Sequence, residues 1–213
     1  MLVRAALGLF LAASATRAVI VDQVAIVVGN SIVKDSDIDR NIRVTRFLNS
    51  EPLDFSRKTK KETANRLIDQ IFIRREVQLG DYPVATWEQA TQEVDQIVNK
   101  KFANEASLQD KLKGYGIVEP DLVSHFQWQL TVLRFIDARF KPAALVTERD
   151  ISDYYREHQT DFRREHPGHA SLEQVRGEIN DFLASQQVDK LLFAWLDEQR
   201  KEAKIKYYEE SLR

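Results

Sequence analysis

Apolar residues near both ends of the sequence follow the pattern of β-strands. Residues 21–28 (VDQVAIVV) are largely apolar and β-branched, which favours a strand, and Gly29-Asn30 is a tight-turn signal. Ser31–Lys34 can then form the return strand. Residues 204–208 (KIKYY) alternate polar and apolar positions, which indicates a final strand. Because a lone strand leaves its backbone groups unpaired, we expect the two ends of the chain to pair in a small antiparallel sheet.

The long region between these strands has apolar residues at helical spacing, preceded at intervals by helix-start signals. Residues 86–89 (TWEQ) form a capping box, and Gly80 ends a helix that continues to Leu79. The sequence therefore predicts a mostly α fold, a multi-helix core with a small antiparallel sheet formed by the N- and C-terminal strands. The predicted helix starts are Ser36, Ser56, Thr86, Ser107, Pro120, Thr147 and Ser171.

Two of these helices carry more apolar surface than one buried face needs. The last helix has one stripe in its first half and another, about half a turn out of phase, in its second half, so it can run between two sub-structures. The fifth helix has two stripes side by side. Such width is typical of a helix buried on two sides, but the second stripe can also line an open groove. The stripes of the fifth helix are Leu122, Phe126, Leu130 and Leu133, then Trp128, Val132 and Phe135; those of the last helix are Leu172, Val175, Ile179 and Leu183, then Val188, Leu191, Leu192 and Trp195.

Residues 1–18 have the pattern of a secretory signal peptide. Arg4 precedes a short apolar run that is too short to span a bilayer, and small residues follow up to Ala18, the expected cleavage site. A buried N-terminal helix is the alternative. Removal of this segment takes away Arg4 and Arg17 and leaves 29 basic against 33 acidic side chains, a net charge of −4. We therefore expect an exported, soluble protein without electrostatic attraction to nucleic acid.

Few residues point to catalytic or metal chemistry. The chain has no cysteine, which excludes disulfides, thiol catalysis and thiolate metal sites. His166 and His169 have the spacing of metal ligands, but Pro167-Gly168 between them is turn chemistry and a closed zinc site needs four ligands. Nucleophile-elbow motifs and glycine-rich phosphate loops are absent, so no cofactor and no ATP use are expected.

Two charged runs have structural explanations. Asp35, Asp37 and Asp39 stand at the start of the first predicted helix, where acids complement the helix dipole, rather than forming an acid–base pair. The basic run 57–61 (RKTKK) is typical of a solvated helix face, with contact to an anionic membrane or a client protein as the alternative.

Three segments resemble the SurA-type family of periplasmic chaperones and peptidyl-prolyl isomerases. They are residues 21–39 (VDQVAIVVGNSIVKDSDID), residues 146–162 (VTERDISDYYREHQTDF) and the closing helix and strand at 172–209. In that family a parvulin-type isomerase domain follows the position of Phe162. Here only the connector 163–170 stands in its place, and eight residues cannot bury a core. The resemblance implies a chaperone core made by residues 19–162 and completed by residues 171–213, without the enzyme.

The resemblance implies an ATP-independent periplasmic holdase that binds unfolded secreted proteins, with outer-membrane β-barrel precursors as its clients. Segments of such clients alternate apolar and polar residues and aggregate when exposed. The alternative is a dedicated, non-catalytic interaction subunit for one periplasmic partner. Homo-oligomers are possible, and stable membrane insertion is not expected. A holdase needs exposed apolar side chains. The candidate client-binding residues are Trp128, Val132 and Phe135, with Phe47, Phe55, Trp87 and Phe102 as further candidates.

Overall fold

The protein has the mostly α-helical fold that the sequence predicts. The computed structural model describes residues 22–101, 105–165, 168, 170–208, 210 and 212. Within these residues the strands are β1 (Val24–Val28), β2 (Ser31–Lys34) and β3 (Ile205–Tyr207). The helices in the same ranges are α1 (Asp35–Asn49), α2 (Arg57–Leu79), α3 (Trp87–Lys101), α4 (Glu105–Tyr115), α5 (Glu119–Arg139), α6 (Glu148–Glu165) and α7 (Leu172–Glu202), with a short 3-10 helix at Lys141–Ala143.

The sheet joins the two ends of the described chain, which confirms the predicted pairing. β1 is the central strand, and both β2 and β3 lie antiparallel to it. Val27 of β1 lies opposite Ile32 on one side and Lys206 on the other. Gly29 has a φ of 56°, which the tight turn between β1 and β2 requires and which glycine adopts without strain. Val21, the first residue of the predicted strand, lies outside the described residues.

Local capping bonds set most of the helix starts. Ser56 is the N-cap of α2, and its hydroxyl oxygen accepts a hydrogen bond from the Thr59 N–H at 3.4 Å. The residue pairs 86/89 and 147/150 form reciprocal capping bonds at the starts of α3 and α6. Each pair satisfies donors that a helix leaves unpaired at its first turn, so the predicted boundaries hold there.

The predicted cap of α1 is wrong. α1 begins at Asp35, and Lys34 is its N-cap. The Lys34 N–H donates to the Asp37 carboxylate at 3.0 Å, so this acid does serve the helix start. The Ser36 hydroxyl donates instead to the carboxylate of Asp22 at 2.6 Å. A residue far away in sequence therefore takes the hydroxyl that we expected to cap the helix.

Two helices are longer than the sequence predicts. α4 begins at Glu105 rather than at Ser107, and α6 continues to Glu165, beyond the predicted end at Phe162. The predicted connector 163–170 therefore starts with a last helical turn. His166 and His169, the possible metal ligands, lie outside the described residues.

In the part of the chain that the structure describes, buried apolar side chains form three clusters, and α7 contributes to two of them. The main core lies between the sheet, α1, α2, α5 and the second half of α7; the α3–α4 core lies between α3, α4 and parts of α1 and α5; the hairpin core lies between α6 and the first half of α7. Val175 and Ile179 belong to the hairpin core, whereas Leu196 belongs to the main core. The prediction that α7 buries different faces at its two ends is confirmed.

Candidate binding groove

The second apolar stripe of α5 is partly core and partly surface. Phe135 is fully buried, with edge-to-face contacts to Tyr82 and Phe140 at centroid distances of 4.9 and 5.8 Å. The hypothesis that Phe135 lines an open groove is wrong, because its ring offers no surface to a ligand. Val132 is half-buried against the main core. Trp128 is half-buried and lies beside two open clefts.

The two clefts lie on either side of Trp128 and together form what we call the groove. The first, of about 390 Å³, is lined by β2, α1, α2 and α5, and the second, of about 450 Å³, by α2, α5 and the loop before α3. Both clefts are lined by Arg74, Ser124 and Trp128, so they meet at these residues. Their main apolar side chains are Ile32, Val33, Val44, Leu67 and Ile71 in the first cleft, and Val77, Val84 and Ala85 in the second.

A cation–aromatic contact marks the point where the clefts meet. The guanidinium carbon of Arg74 lies 4.3 Å from the centre of the Trp128 ring. Burial lowers the pKa of Arg74, although an arginine side chain stays charged at physiological pH. The contact crosses from α2 to α5. A chain lying along the groove must therefore pass over this pair or displace the arginine from the ring.

Side chains of α5 fix the wall of the second cleft. The Ala85 N–H donates to the Thr131 hydroxyl oxygen at 3.0 Å, and the Gln127 side-chain amide donates to the Ala85 carbonyl at 3.1 Å. Arg134 donates to the Val84 carbonyl at 2.9 Å. These bonds tie both backbone groups of one loop residue to one helix, so the position of the wall follows that of α5.

The groove also contains polar groups that are free to bond to a ligand. The side chains of Asn41, Gln70, Gln78 and Ser124 line it and form no hydrogen bond to any other described residue. An amide side chain can donate and accept at once, and so can a hydroxyl. These are the groups needed to pair with the N–H and C=O of a bound peptide backbone. The groove can therefore satisfy a backbone as well as cover apolar side chains.

One end of the groove borders the open edge of the sheet. The Gly29 N–H donates to the Lys204 carbonyl and the Tyr208 N–H to the Ala25 carbonyl, so the odd-numbered residues of β1 bond toward β3. The even-numbered residues then bond toward β2, and in an antiparallel ladder this leaves the backbone of Ile32 facing away from β1. The Ile32 side chain is 56% exposed and lines the first cleft.

The titratable groups of the groove do not form a catalytic pair. Burial lowers the pKa of His125, which favours the neutral imidazole at pH 7. The Asp37 and Asp121 carboxylates accept hydrogen bonds from the N-cap backbones of α1 and α5, at 3.0 and 2.9 Å. Arg40 lies 3.5 Å from Asp121 at the rim. Both acids are therefore engaged in helix capping rather than held near a nucleophile.

The remaining candidate residues lie away from the groove. Phe47 is buried in the α3–α4 core against Tyr115, so it offers no binding surface either. Phe55 is half-buried with the Arg43 guanidinium over its ring, at 4.9 Å. Trp87 is 48% exposed at the start of α3 but lines neither cleft. Phe102 lies outside the described residues.

The sequence pattern did not indicate several groove residues, because these residues are polar or belong to a very short strand. Arg74, Gln70 and Gln78 stand on α2 among charged residues and resemble its solvated face. Ile32 belongs to a strand of four residues, too short for its pattern to distinguish a core face from an open edge. The recurrence of Gln70, Arg74 and Gln78 at four-residue intervals was the available signal for a polar strip on one helix face.

Among the described residues, no three histidine, aspartate or glutamate side chains converge as metal ligands would. None of the helices described combines the length and the apolar run needed to cross a bilayer.

Three features of the groove determine what it can bind. It combines two apolar clefts, hydrogen-bonding side chains without partners among the described residues, and an open strand edge. An extended polypeptide needs these three features from a binding surface. Neither the models of known protein families nor the curated proteins searched match this chain.

Proposed function

We propose that the protein binds extended segments of unfolded polypeptides in the groove and thereby acts as a periplasmic holdase, without ATP, cofactor or isomerase activity. The observation that carries this proposal is that the first cleft borders the open edge of β2 and meets the second cleft at Trp128. The resemblance of the sequence to the SurA-type chaperones supports the same function. The proposed signal peptide would direct the protein to the periplasm, through which outer-membrane precursors travel unfolded.

Binding is proposed to start by strand addition to β2. A client segment pairs with the outward-facing N–H and C=O of Ile32, and its alternate side chains then point to the same side. Apolar side chains enter the first cleft, whereas Asn41 and Gln70 pair with backbone groups beyond the short strand. Strands of β-barrel precursors alternate apolar and polar residues, which makes them the client class that fits best.

The binding experiment uses a fluorescently labelled, urea-unfolded eight-stranded outer-membrane protein diluted into the full-length chaperone. Fluorescence anisotropy gives the affinity, and light scattering gives the suppression of aggregation. We expect Trp128→Ala and Ile32→Lys each to weaken binding by at least about tenfold, or ~1.4 kcal/mol. The proposal fails if both variants bind the client as the unchanged protein does.

Matched controls test whether the position of a residue in the groove matters. Trp87→Ala removes an exposed tryptophan, and Leu145→Lys places a charge on a side chain that is 79% exposed; neither residue lines the groove. We expect both controls to leave the affinity unchanged. Equal losses in controls and groove variants would point to non-specific apolar adhesion.

The alternative proposal is a dedicated subunit that binds one folded partner. Exposed apolar side chains outside the groove favour it, among them Leu133 at 60% and Phe193 at 61% exposure. A holdase delays aggregation of several unrelated unfolded barrel proteins, whereas a dedicated subunit affects none or one of them. The same light-scattering experiment with three unrelated clients separates the two proposals.

A further inference from the structure

A second cavity lies in the hairpin of α6 and α7 and has a different chemistry from the groove. It has a volume of about 420 Å³ and shares no lining residue with either groove cleft. Its walls combine aromatic rings with carboxylates. We call it the hairpin pocket. Its lining includes Tyr154, His158, Asp161, Glu165, Glu178 and Phe182.

The aromatic rings of the hairpin pocket are arranged around Tyr154. The His158 imidazole stacks on the Tyr154 ring with centroids 4.0 Å apart and planes inclined by 18°. The Phe182 ring lies 5.3 Å from Tyr154 across the helix pair and is 44% exposed. An apolar ring with this much surface in water beside an open cavity offers a face to a ligand.

A kink in α6 holds the histidine in place. His158 has φ −112° and ψ 16°, outside the helical range, in the middle of the helix. Its Nδ1 lies 2.9 Å from the Tyr154 carbonyl oxygen, and the bond requires Nδ1 to carry the proton and donate. The side chain thus occupies an acceptor of the helical ladder. The imidazole is fixed over the tyrosine ring before any ligand arrives.

The charges around these rings are mainly negative. Asp161, Glu165 and Glu178 line the pocket together with Arg164, which donates to Asp161 at 2.8 Å. Burial raises the pKa of Tyr154, and the charges of the same three acids raise it further. A ligand in this pocket therefore meets aromatic faces in a negative field.

We propose that the hairpin pocket binds a basic side chain, above all an arginine, in an exposed segment of another polypeptide. A guanidinium is planar, stacks on aromatic rings and pairs with carboxylates at the same time. Lysine fits less well because its ammonium is compact and strongly hydrated. A purely apolar segment would desolvate the carboxylates without adding positive charge, and a phosphate would be repelled by them. This proposal does not depend on the groove or on its clients.

The probe is the fluorescein-labelled peptide Gly-Arg-Ala-Arg-Gly, titrated with the full-length protein at low ionic strength and followed by anisotropy. We expect saturable binding that weakens at least about tenfold when both arginines are replaced by citrulline, which keeps the shape and removes the charge. Phe182→Ala and Glu165→Gln should each cause a loss of similar size. Both side chains are exposed, so folding should be retained, as circular dichroism would check.

Two exposed residues on the same helices provide the controls. Phe193→Ala on α7 and Glu157→Gln on α6 change the same residue types outside the pocket, and we expect them to leave peptide binding unchanged. Equal binding of the citrulline peptide, or equal losses in all four variants, would overturn the proposal. So would sedimentation showing self-association that Glu165→Gln abolishes, because the occupant would then be a second copy. Barrel-client binding should be unaffected by Glu165→Gln, so the two proposals fail separately.

Discussion

The main core and the hairpin core share α7, but they differ in the sequence separation of the segments that pack together. The main core brings together segments that are far apart in sequence: β1 pairs with β3, and Arg200 of α7 lies 2.7 Å from Asp69 of α2. The hairpin core joins α6 to the helix that follows it. Contacts between neighbouring helices form and break locally, whereas those of the main core need the whole chain. We expect the hairpin to open alone while the main core unfolds as a unit.

This difference separates the two proposed sites. The groove has walls on β2, α1, α2 and α5, which all contribute to the main core, and on the loop before α3. Among the described residues, the walls of the hairpin pocket are formed by α6 and α7. Occupancy of the pocket should therefore stabilise the hairpin without changing the groove.

The largest effect is expected from Phe135→Ala in the main core. The ring is fully buried among Tyr82, Phe140 and Trp195, so its removal leaves a cavity. We expect a loss of about 3–5 kcal/mol in the free energy of unfolding, measured by urea titration with circular dichroism. All regions should lose protection from hydrogen exchange together. A loss confined to α5 would show that the main core is not one cooperative unit.

The next largest effect is expected from Ile179→Ala in the hairpin core. Ile179 is also fully buried, so the substitution should lower the free energy of opening of the hairpin core by about 2–4 kcal/mol. We expect hydrogen exchange to accelerate in α6 and the first half of α7 while β1, α2 and α5 keep their protection. Equal acceleration throughout would show that the hairpin does not open separately and that both cores unfold together.

A smaller effect is expected from Thr131→Val at the groove wall. The change keeps the shape but leaves the Ala85 N–H without its acceptor, at a cost of about 1–3 kcal/mol. Urea unfolding measures the stability, and the anisotropy of the labelled outer-membrane protein measures its affinity for the proposed groove. Thr91→Val is the control, because this exposed hydroxyl only donates to the Trp87 carbonyl. If both variants lose the same stability, the loop is not held by Thr131.

The smallest effect is the pH dependence contributed by His125. Burial lowers its pKa in the folded protein below the ordinary value of 6.5, so the unfolded chain binds a proton more readily. Its contribution to stability is present above that value and is lost as the pH falls toward the folded pKa. We expect His125→Gln to lose less stability than the unchanged protein between pH 7.5 and 5.5 in urea titrations. Parallel pH profiles would show that this histidine is not the responsible group.

The sequence predicted those features that depend on neighbouring residues. Ser56 and the Thr147/Asp150 pair define helix starts through bonds within one turn, so the pattern contains all the information needed. The pairing of β1 with β3 was predictable because each strand needs a backbone partner and no other candidate strand was evident. The failure at Ser36 has the opposite cause, since its hydroxyl bonds to Asp22 from before β1.

The burial of residues on one stripe could not be predicted in the same way. Trp128 and Phe135 share a face of α5, yet one borders open clefts and the other is fully buried. The difference comes from Tyr82 and Trp195, which cover Phe135 from distant parts of the chain. Leu133, on the other predicted stripe, is 60% exposed because no element covers it among the described residues. Spacing gives a direction on a helix, whereas burial depends on what the fold places there.

The position of β3 has a consequence for the order in which the molecule is assembled. A polypeptide that leaves a ribosome or a membrane pore with its N-terminus first presents β1 long before β3 emerges. Until then the Gly29 N–H and the Ala25 carbonyl lack their partners Lys204 and Tyr208, which flank β3. The second half of α7, which covers the main core, emerges equally late. The native core is therefore completed only after β3 has emerged and paired with β1.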